Sequence, residues 1–245
     1  MTSTALCRRT SRSLWPMSVR KGRSSSMATI VCSFLFHYFH HTIAHLYVDR
    51  CIYADESVAH VKFAYSQGHQ ISSYTWAHKN LSTLTSEQVN SEMARTEQAI
   101  QRLIGVQVAF TRPPYGEYNN IVLQVAANRN QKLVNWSFDS GDSIGATPAE
   151  SNAAYDKLVK DHPSSVLALN HEVYSTFLFF SFDIRWTESY MLSIDTTAFI
   201  VTPHAIKVLQ STGYKLVTVA ECLGQQPYLS TGPPTSRTLL IALYF

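Results

Sequence analysis

GHQISSYTWAH, residues 68–78, opens with a glycine that can close one element and continues into an apolar, aromatic stretch that reads as the next. Upstream, ESVAHVKFAYSQG (56–68) spaces its apolar residues as a helix does, with Gly68 as a C-cap candidate. QISSYTW (70–76) then reads as a short buried strand. Tyr74 and His78 stand at its C-terminal end, at a spacing that one helical turn or a tight turn would use to face both side chains to one point.

The same alternation continues downstream. LTSEQVNSEMARTEQAIQRLIG (84–105) is a helix with Thr85 as N-cap, Gln88 completing a capping box and Gly105 as terminator. VQVAFTR (106–112) reads as a strand, NNIVLQVAANRN (119–130) as a helix and KLVNWSFD (132–139) as a strand. TPAESNAAYDKLVKDH (147–162) starts a helix with Thr147, Pro148 and Glu150 in capping positions. SVLALNH (165–171) is a buried strand, TPHAIKVLQSTG (202–213) repeats the Thr-Pro helix start, and YKLVTV (214–219) is the last clear strand. Strands alternating with helices predict a parallel sheet covered by helices. Five strands fall short of a closed barrel. The region before residue 51 must supply the rest or leave an edge exposed.

Composition narrows the function. With 245 residues, 45% of them hydrophobic, the chain can bury a core, and 15% charged residues with a net charge of +3 give no basic field for nucleic acid. No acidic residue precedes Asp49, while Arg8, Arg9, Arg12, Arg20, Lys21 and Arg23 crowd the start. That bias matches a transit peptide or a misread exon, and no standard secretory signal is visible at Met1. ATIVCSFLFHYFHHTIAHLYV (28–48) is apolar enough for a membrane span, but its four histidines are poorly placed in lipid. His41 and His45 are better explained by composition than as a metal pair. Cys7, Cys32, Cys51 and Cys222 match no zinc pattern; a long-range disulfide through Cys51 or Cys222 stays open. FLFFSFDIRWTESYMLSID (177–195) is too long and apolar for a connection and reads as a retained intron or a lineage-specific insertion.

Polar residues gather at the C-terminal ends of predicted strands: His78, Arg112 in RPPYG, Asp139 and Asp142 in DSGD, and His171 in LNH. In a parallel barrel those ends share one face. The ordered set GHQISSYTWAH, TRPPYG, WSFDSGDS, LALNHEVY and TPHAIKVLQSTGYKLVTVAECLG resembles the polysaccharide deacetylases of carbohydrate esterase family four, with the NodB-type fold, and most closely the fungal chitin deacetylases. The resemblance covers residues 51–228. It implies an α/β fold, an incomplete or distorted (β/α) barrel whose N-terminal strands are missing or replaced. Residues 1–50 are then expected to lie outside the native domain, 177–195 to be an insertion and 229–245 to be a tail.

The resemblance further implies one divalent metal, zinc or cobalt, held by an aspartate and two histidines, with a second aspartate as base and a later histidine as acid. Its substrate would be chitin or another N-acetylglucosamine polysaccharide, with no nucleic acid and no stable protein partner, in a secreted or cell-wall setting. Carried over, His78 matches the second metal histidine and Tyr74 the place of the first, where a phenol fills space or donates to substrate. Arg112 matches the arginine that orients the base, and Tyr115 the residue whose backbone N–H steadies the oxyanion. Asp139 and Asp142 match the acids that tether that arginine, with Ser143 where the family has tryptophan. His171 matches the acid and Leu169 the floor of the acetyl-methyl pocket; Trp76, Tyr115 and Trp136 would line the glycan groove. The TFDDGP-like motif that carries both aspartates is absent: no DD occurs in the chain, and Asp49, Asp55 and Glu56 do not replace it. The expectation is therefore an impaired deacetylase or, alternatively, an inactive glycan-binding pseudoenzyme.

Overall fold

The computed structural model describes residues 2–8, 27–29, 45–48, 52, 55–171 and 197–235; the expected insertion at 177–195 lies outside them. Strands β1 (Thr2–Arg8), β2 (Met27–Thr29) and β3 (His45–Val48) precede helix α1 (Asp55–Ser66) and β4 (Gln70–Ser73). Then follow α2 (Ser86–Ile104), β5 (Val106–Val108), β6 (Phe110–Thr111), α3 (Asn120–Asn128), β7 (Lys132–Leu133), β8 (Phe138–Asp139) and α4 (Pro148–Asp161). The order ends with β9 (Leu167–Asn170), α5 (Thr202–Ser211), β10 (Tyr214–Lys215), α6 (Val219–Leu223) and β11 (Tyr228–Thr231).

Local signals set the helix ends as the sequence predicts. Thr85 and Gln88 form a reciprocal capping box on α2, Thr147 and Glu150 form one on α4, and Gly105 ends α2 in the left-handed region at φ 74°. The α2 residues Val89, Met93, Ile100 and Leu103 are buried on one stripe.

β3, β4, β6 and β7 are successive parallel neighbours, and β8 and β9 form a second parallel pair. β1 pairs through Thr2 and Ser3 with both β3 and β9, antiparallel to each, so it lies between them. β3 and β9 therefore point the same way, as do β2, antiparallel to β1, and β10, parallel to β2, so eight of the nine described strands of this sheet share one direction. The arc does not close by a ladder from β7 to β8. Instead the chain crosses the gap, with Val134 N–H donating to Thr111 O at 2.9 Å and Ser137 N–H to Leu167 O at 2.8 Å. The result is an open, distorted barrel in which the place between β3 and β9 is filled by an antiparallel strand.

Ile71 packs with α1 and α2, and Ala168 with α4 and α5, so those side chains face the helices. Alternation along each strand turns Gln70, Ser72 and Tyr74, and likewise Leu167, Leu169 and His171, to the inside of the curve. There Phe110, Val134, Val217, Val219 and Ala220 form an inner cluster, and Gln70 Oε1 accepts a hydrogen bond from Ala220 N–H at 3.0 Å.

Five expectations need correction. The predicted strand at 106–112 is two: β5 pairs with β11 in a separate sheet, while β6 joins the barrel. The strand at 132–139 likewise divides into β7 and β8. Thr202 is not a cap, because a π turn, Thr197–Val201, runs directly into α5 and the buried Thr202 hydroxyl donates to Thr197 O at 3.0 Å. YKLVTV is a strand only at Tyr214–Lys215, since Thr218 caps α6 through a bond from Glu221 N–H at 3.0 Å. The segment expected to be a tail from residue 229 begins as β11. Among the described residues no helix is long and apolar enough to cross a membrane. Cys222 is disulfide-bonded.

β11 docks tightly. Gly232 N–H donates to Gly105 O at 2.7 Å, and a Cβ on Gly105 would fall 1.9 Å from Gly232 O. Tyr228 hydroxyl accepts from Ile71 N–H at 3.1 Å, and burial pushes its phenol up to about 12. Gly105→Ala is thus expected to cost at least about 3 kcal/mol in urea unfolding, whereas Gly68→Ala, at φ 84° with open space around it, costs about 1 kcal/mol. For Tyr228 the neutral form is the one the fold favours. The unfolded phenol ionises near pH 10, so stability is full below that and falls by roughly 2–3 kcal/mol as pH rises to about 12. Tyr228→Phe should remove most of that alkaline loss, measured as urea midpoints at pH 9 and 12.

Candidate functional site

Past Ser73 the chain leaves β4 in a turn that few sequences would choose. Thr75 at φ 66° and His78 at φ 52° are both left-handed, which is costly for a β-branched threonine. The turn is held by Thr75 N–H donating to Ser73 Oγ at 3.2 Å and Ala77 N–H donating to Glu92 Oε2 at 2.6 Å. It sets the His78 ring 4.6 Å from Tyr74, which is buried, and 4.9 Å edge-on from Tyr115. Trp76 goes the other way. It packs on the α1–α2 core with the Arg95 guanidinium 4.4 Å above its ring, so it does not line a groove with Tyr115 and Trp136 as expected.

β6 delivers Arg112 inward, fully buried, with its N–H donating to Ser73 O at 2.9 Å and its guanidinium 5.6 Å from the Trp136 ring. The two prolines that follow lead into a turn, Pro114–Gly116, in which Tyr115 is left-handed at φ 60° and 61% exposed. Gly116 closes against the next strand connection: its carbonyl accepts from Asn135 Nδ2 at 3.0 Å, and a Cβ there would lie 3.1 Å from Trp136 Cη2. Trp136 thereby links the Arg112 loop to the approach of β8.

The acidic motif reaches the end of β9. Asp139 is exposed and accepts from Gly141 N–H at 2.8 Å. Gly141, left-handed at φ 76°, then swings Asp142 into a short 3-10 turn beside β9. Asp142 is buried and holds His171 twice, by the backbone N–H and by ring Nδ1 at 2.8 Å from Oδ1. The reason is topological: β8 pairs with β9, not with β6 or β7, so its acid meets the residue that ends β9. Leu169 is buried on β9 opposite Asp139.

His78 is the one expected ligand present, and the phenol of Tyr74 is a poor donor to a metal at neutral pH. Among the described residues no group of three His, Cys, Asp or Glu side chains is placed to share an ion. β1 presents its first residue, Thr2, at the edge beside Asn170, and its sequence TSTALCR carries no acid. The described residues do not fit a divalent metal bound by an aspartate and two histidines.

Two buried carboxylates on α2 escaped the sequence reading, Glu92 and Glu97. Glu97 accepts from Gln107 Nε2 at 2.7 Å and Gln131 Nε2 at 2.8 Å and pairs with Arg129, and Gln131 accepts in turn from Thr111 Oγ1 at 2.7 Å. The signal was available: both glutamates fall on the apolar stripe of an amphipathic helix, where a charge needs a partner.

Asp142→Ala should lower stability by roughly 2–3 kcal/mol, because it strands the His171 N–H beneath the rim, with Asp142→Asn losing less. Tyr74→His should place a second imidazole against His78 and tighten zinc binding by at least about tenfold over the unaltered chain, read by calorimetry.

The polysaccharide deacetylase pattern matches residues 40–134. The chain is 28% identical over 199 residues to chitin deacetylase 1 of Cryptococcus neoformans, covering 73% of this chain and 38% of that one. It spans between 34% and 38% of the length of the curated relatives it matches first. In fold it is similar to the chitin deacetylase of Colletotrichum lindemuthianum, at TM-score 0.62 and 23% identity over 76% of this chain and 77% of that one. It is also similar in fold to a family four pseudoenzyme from Bacillus anthracis, at TM-score 0.58 and 16% identity over 74% and 55% of the two chains. The chain is thus similar to polysaccharide deacetylases in sequence over residues 40–134 and shares the fold of the solved members named here.

Proposed function

We propose that this chain recognises chitin-like, N-acetylglucosamine-containing polysaccharide at the rim of the open barrel and that its deacetylating step is impaired. The observation that carries the reading is Tyr74 packed against His78 where a second imidazole would stand, in a chain with no aspartate pair. A metal bound by this family's ligands would polarise the acetamide carbonyl and acidify water. Removing the base alone costs two or more orders of magnitude in such reactions.

What the chain retains suits sugar binding. Tyr115 and Tyr118 are 61% and 41% exposed beside the half-buried Trp136, and Ile144 is exposed on the turn after β8. Flat aromatic faces with polar edges match the C–H faces and hydroxyls of pyranose rings. The Asp142–His171 pair supplies a fixed polar group at the rim, above the buried Arg112. His171, with Nδ1 committed to Asp142, presents Nε2 as its remaining ring atom, able to hold or pass a proton to a ligand amide. A secreted or cell-wall location follows from this substrate class and belongs to the same proposal.

The test pairs binding with turnover. Tetra-N-acetylchitotetraose is expected to bind in calorimetry, and Tyr115→Ala to weaken it about fivefold or more. Acetate release with added zinc or cobalt should stay at least about a hundredfold below that of a relative carrying the aspartate pair. Turnover comparable to that relative overturns impairment, and absence of binding overturns glycan recognition.

A further inference from the structure

We propose that Glu92 is a positioning residue for the rim, fixing the turn that aims His78; the inference rests on the glycan-binding reading only for its ligand. Glu92 stands on α2 with its carboxylate buried at 8% side-chain exposure, and it reaches across to the loop after β4 rather than to its own helix. One oxygen accepts from Ala77 N–H at 2.6 Å, and the other lies 3.9 Å from Lys79 Nζ. The carboxylate therefore holds the residue before His78 by a hydrogen bond and faces the exposed ammonium of the residue after it.

Those contacts fall where the backbone is strained. Thr75 and His78 bracket Ala77, and both are left-handed. Such a conformation persists only when the surroundings over-determine it. A charge-assisted bond from a buried carboxylate to a single N–H inside the turn supplies that restraint. Burying a carboxylate among Val89, Met93 and Ile100 is itself costly, so an apolar residue there would serve the core better if packing were the only demand. Its neighbour Glu97 offers the contrast, because that carboxylate ties α2 to Arg129, Gln131 and Gln107.

The orientation that Glu92 secures is that of the His78 ring between Tyr74 and Tyr115. An imidazole held edge-on to one phenol ring and tilted against another has ring-shifted proton resonances, which report its position directly. The experiment compares the His78 imidazole signals, assigned through His78→Ala, in the full chain and in Glu92→Ala, Glu92→Gln and Glu97→Ala at one pH, with tetra-N-acetylchitotetraose affinity measured in parallel. Glu92→Ala is expected to move the His78 signals toward random-coil positions and weaken the ligand at least about fivefold. Glu92→Gln, which keeps an acceptor of the same length, should restore both to near the parent, and Glu97→Ala should lower the unfolding midpoint while leaving His78 in place.

If Glu92→Ala unfolds, Glu92→Asp takes its part, since it keeps the charge and withdraws the reach. Unmoved His78 signals in Glu92→Ala or Glu92→Asp overturn the proposal, as does a Glu92→Gln variant that fails to restore them. Should the parent chain bind no chitotetraose, the His78 signals alone still decide the role of Glu92, while the glycan reading falls separately.

Discussion

Side chains alternate across a strand, and eight of the nine described strands of the main sheet run the same way. Those two facts decide which groups can meet. Tyr74 continues β4, Arg112 continues β6 and His171 continues β9, each on the inner face at the same edge. Helix-side residues on the same strands are drawn elsewhere: Ile71 into the core, Thr111 into a bond with Gln131 after α3, and Asn170 into bonds with α4. Asn170, for example, donates to Tyr155 hydroxyl at 2.8 Å. The rim is thus a product of strand direction and register before it is a product of any one residue.

Local order was legible in the sequence because its causes are local. Thr85 with Gln88 and Thr147 with Glu150 form capping boxes that need only the next three residues. Gly105 needs only a left-handed φ to announce a helix end. The division of 106–112 into β5 and β6 was not legible, since it is imposed by Tyr228–Thr231, more than a hundred residues away. The chain must change sheets at Ala109, and nothing in VQVAFTR says so.

Within the site the same distinction holds. His171 and Arg112 could be placed at strand ends from pattern alone, but the partner of Asp142 could not. A DSGD motif says that carboxylates are near a turn. Which side chain they reach depends on β8 lying against β9, and that is a fact about pairing. Glu92 is a partial case: its place on the apolar stripe of α2 marks it as buried, but the loop it holds is a fact of packing that the helix pattern does not carry.

The docking of β11 carries a consequence of another kind. Tyr228 joins the C-terminal strand to the first turn of β4 through one phenol, and that phenol resists ionisation while it stays covered. A phenolate absorbs at longer ultraviolet wavelengths than a phenol. Among the chain's 13 tyrosines, Tyr228 is therefore one whose late ionisation in an alkaline titration reports, with no added dye, that β11 is seated.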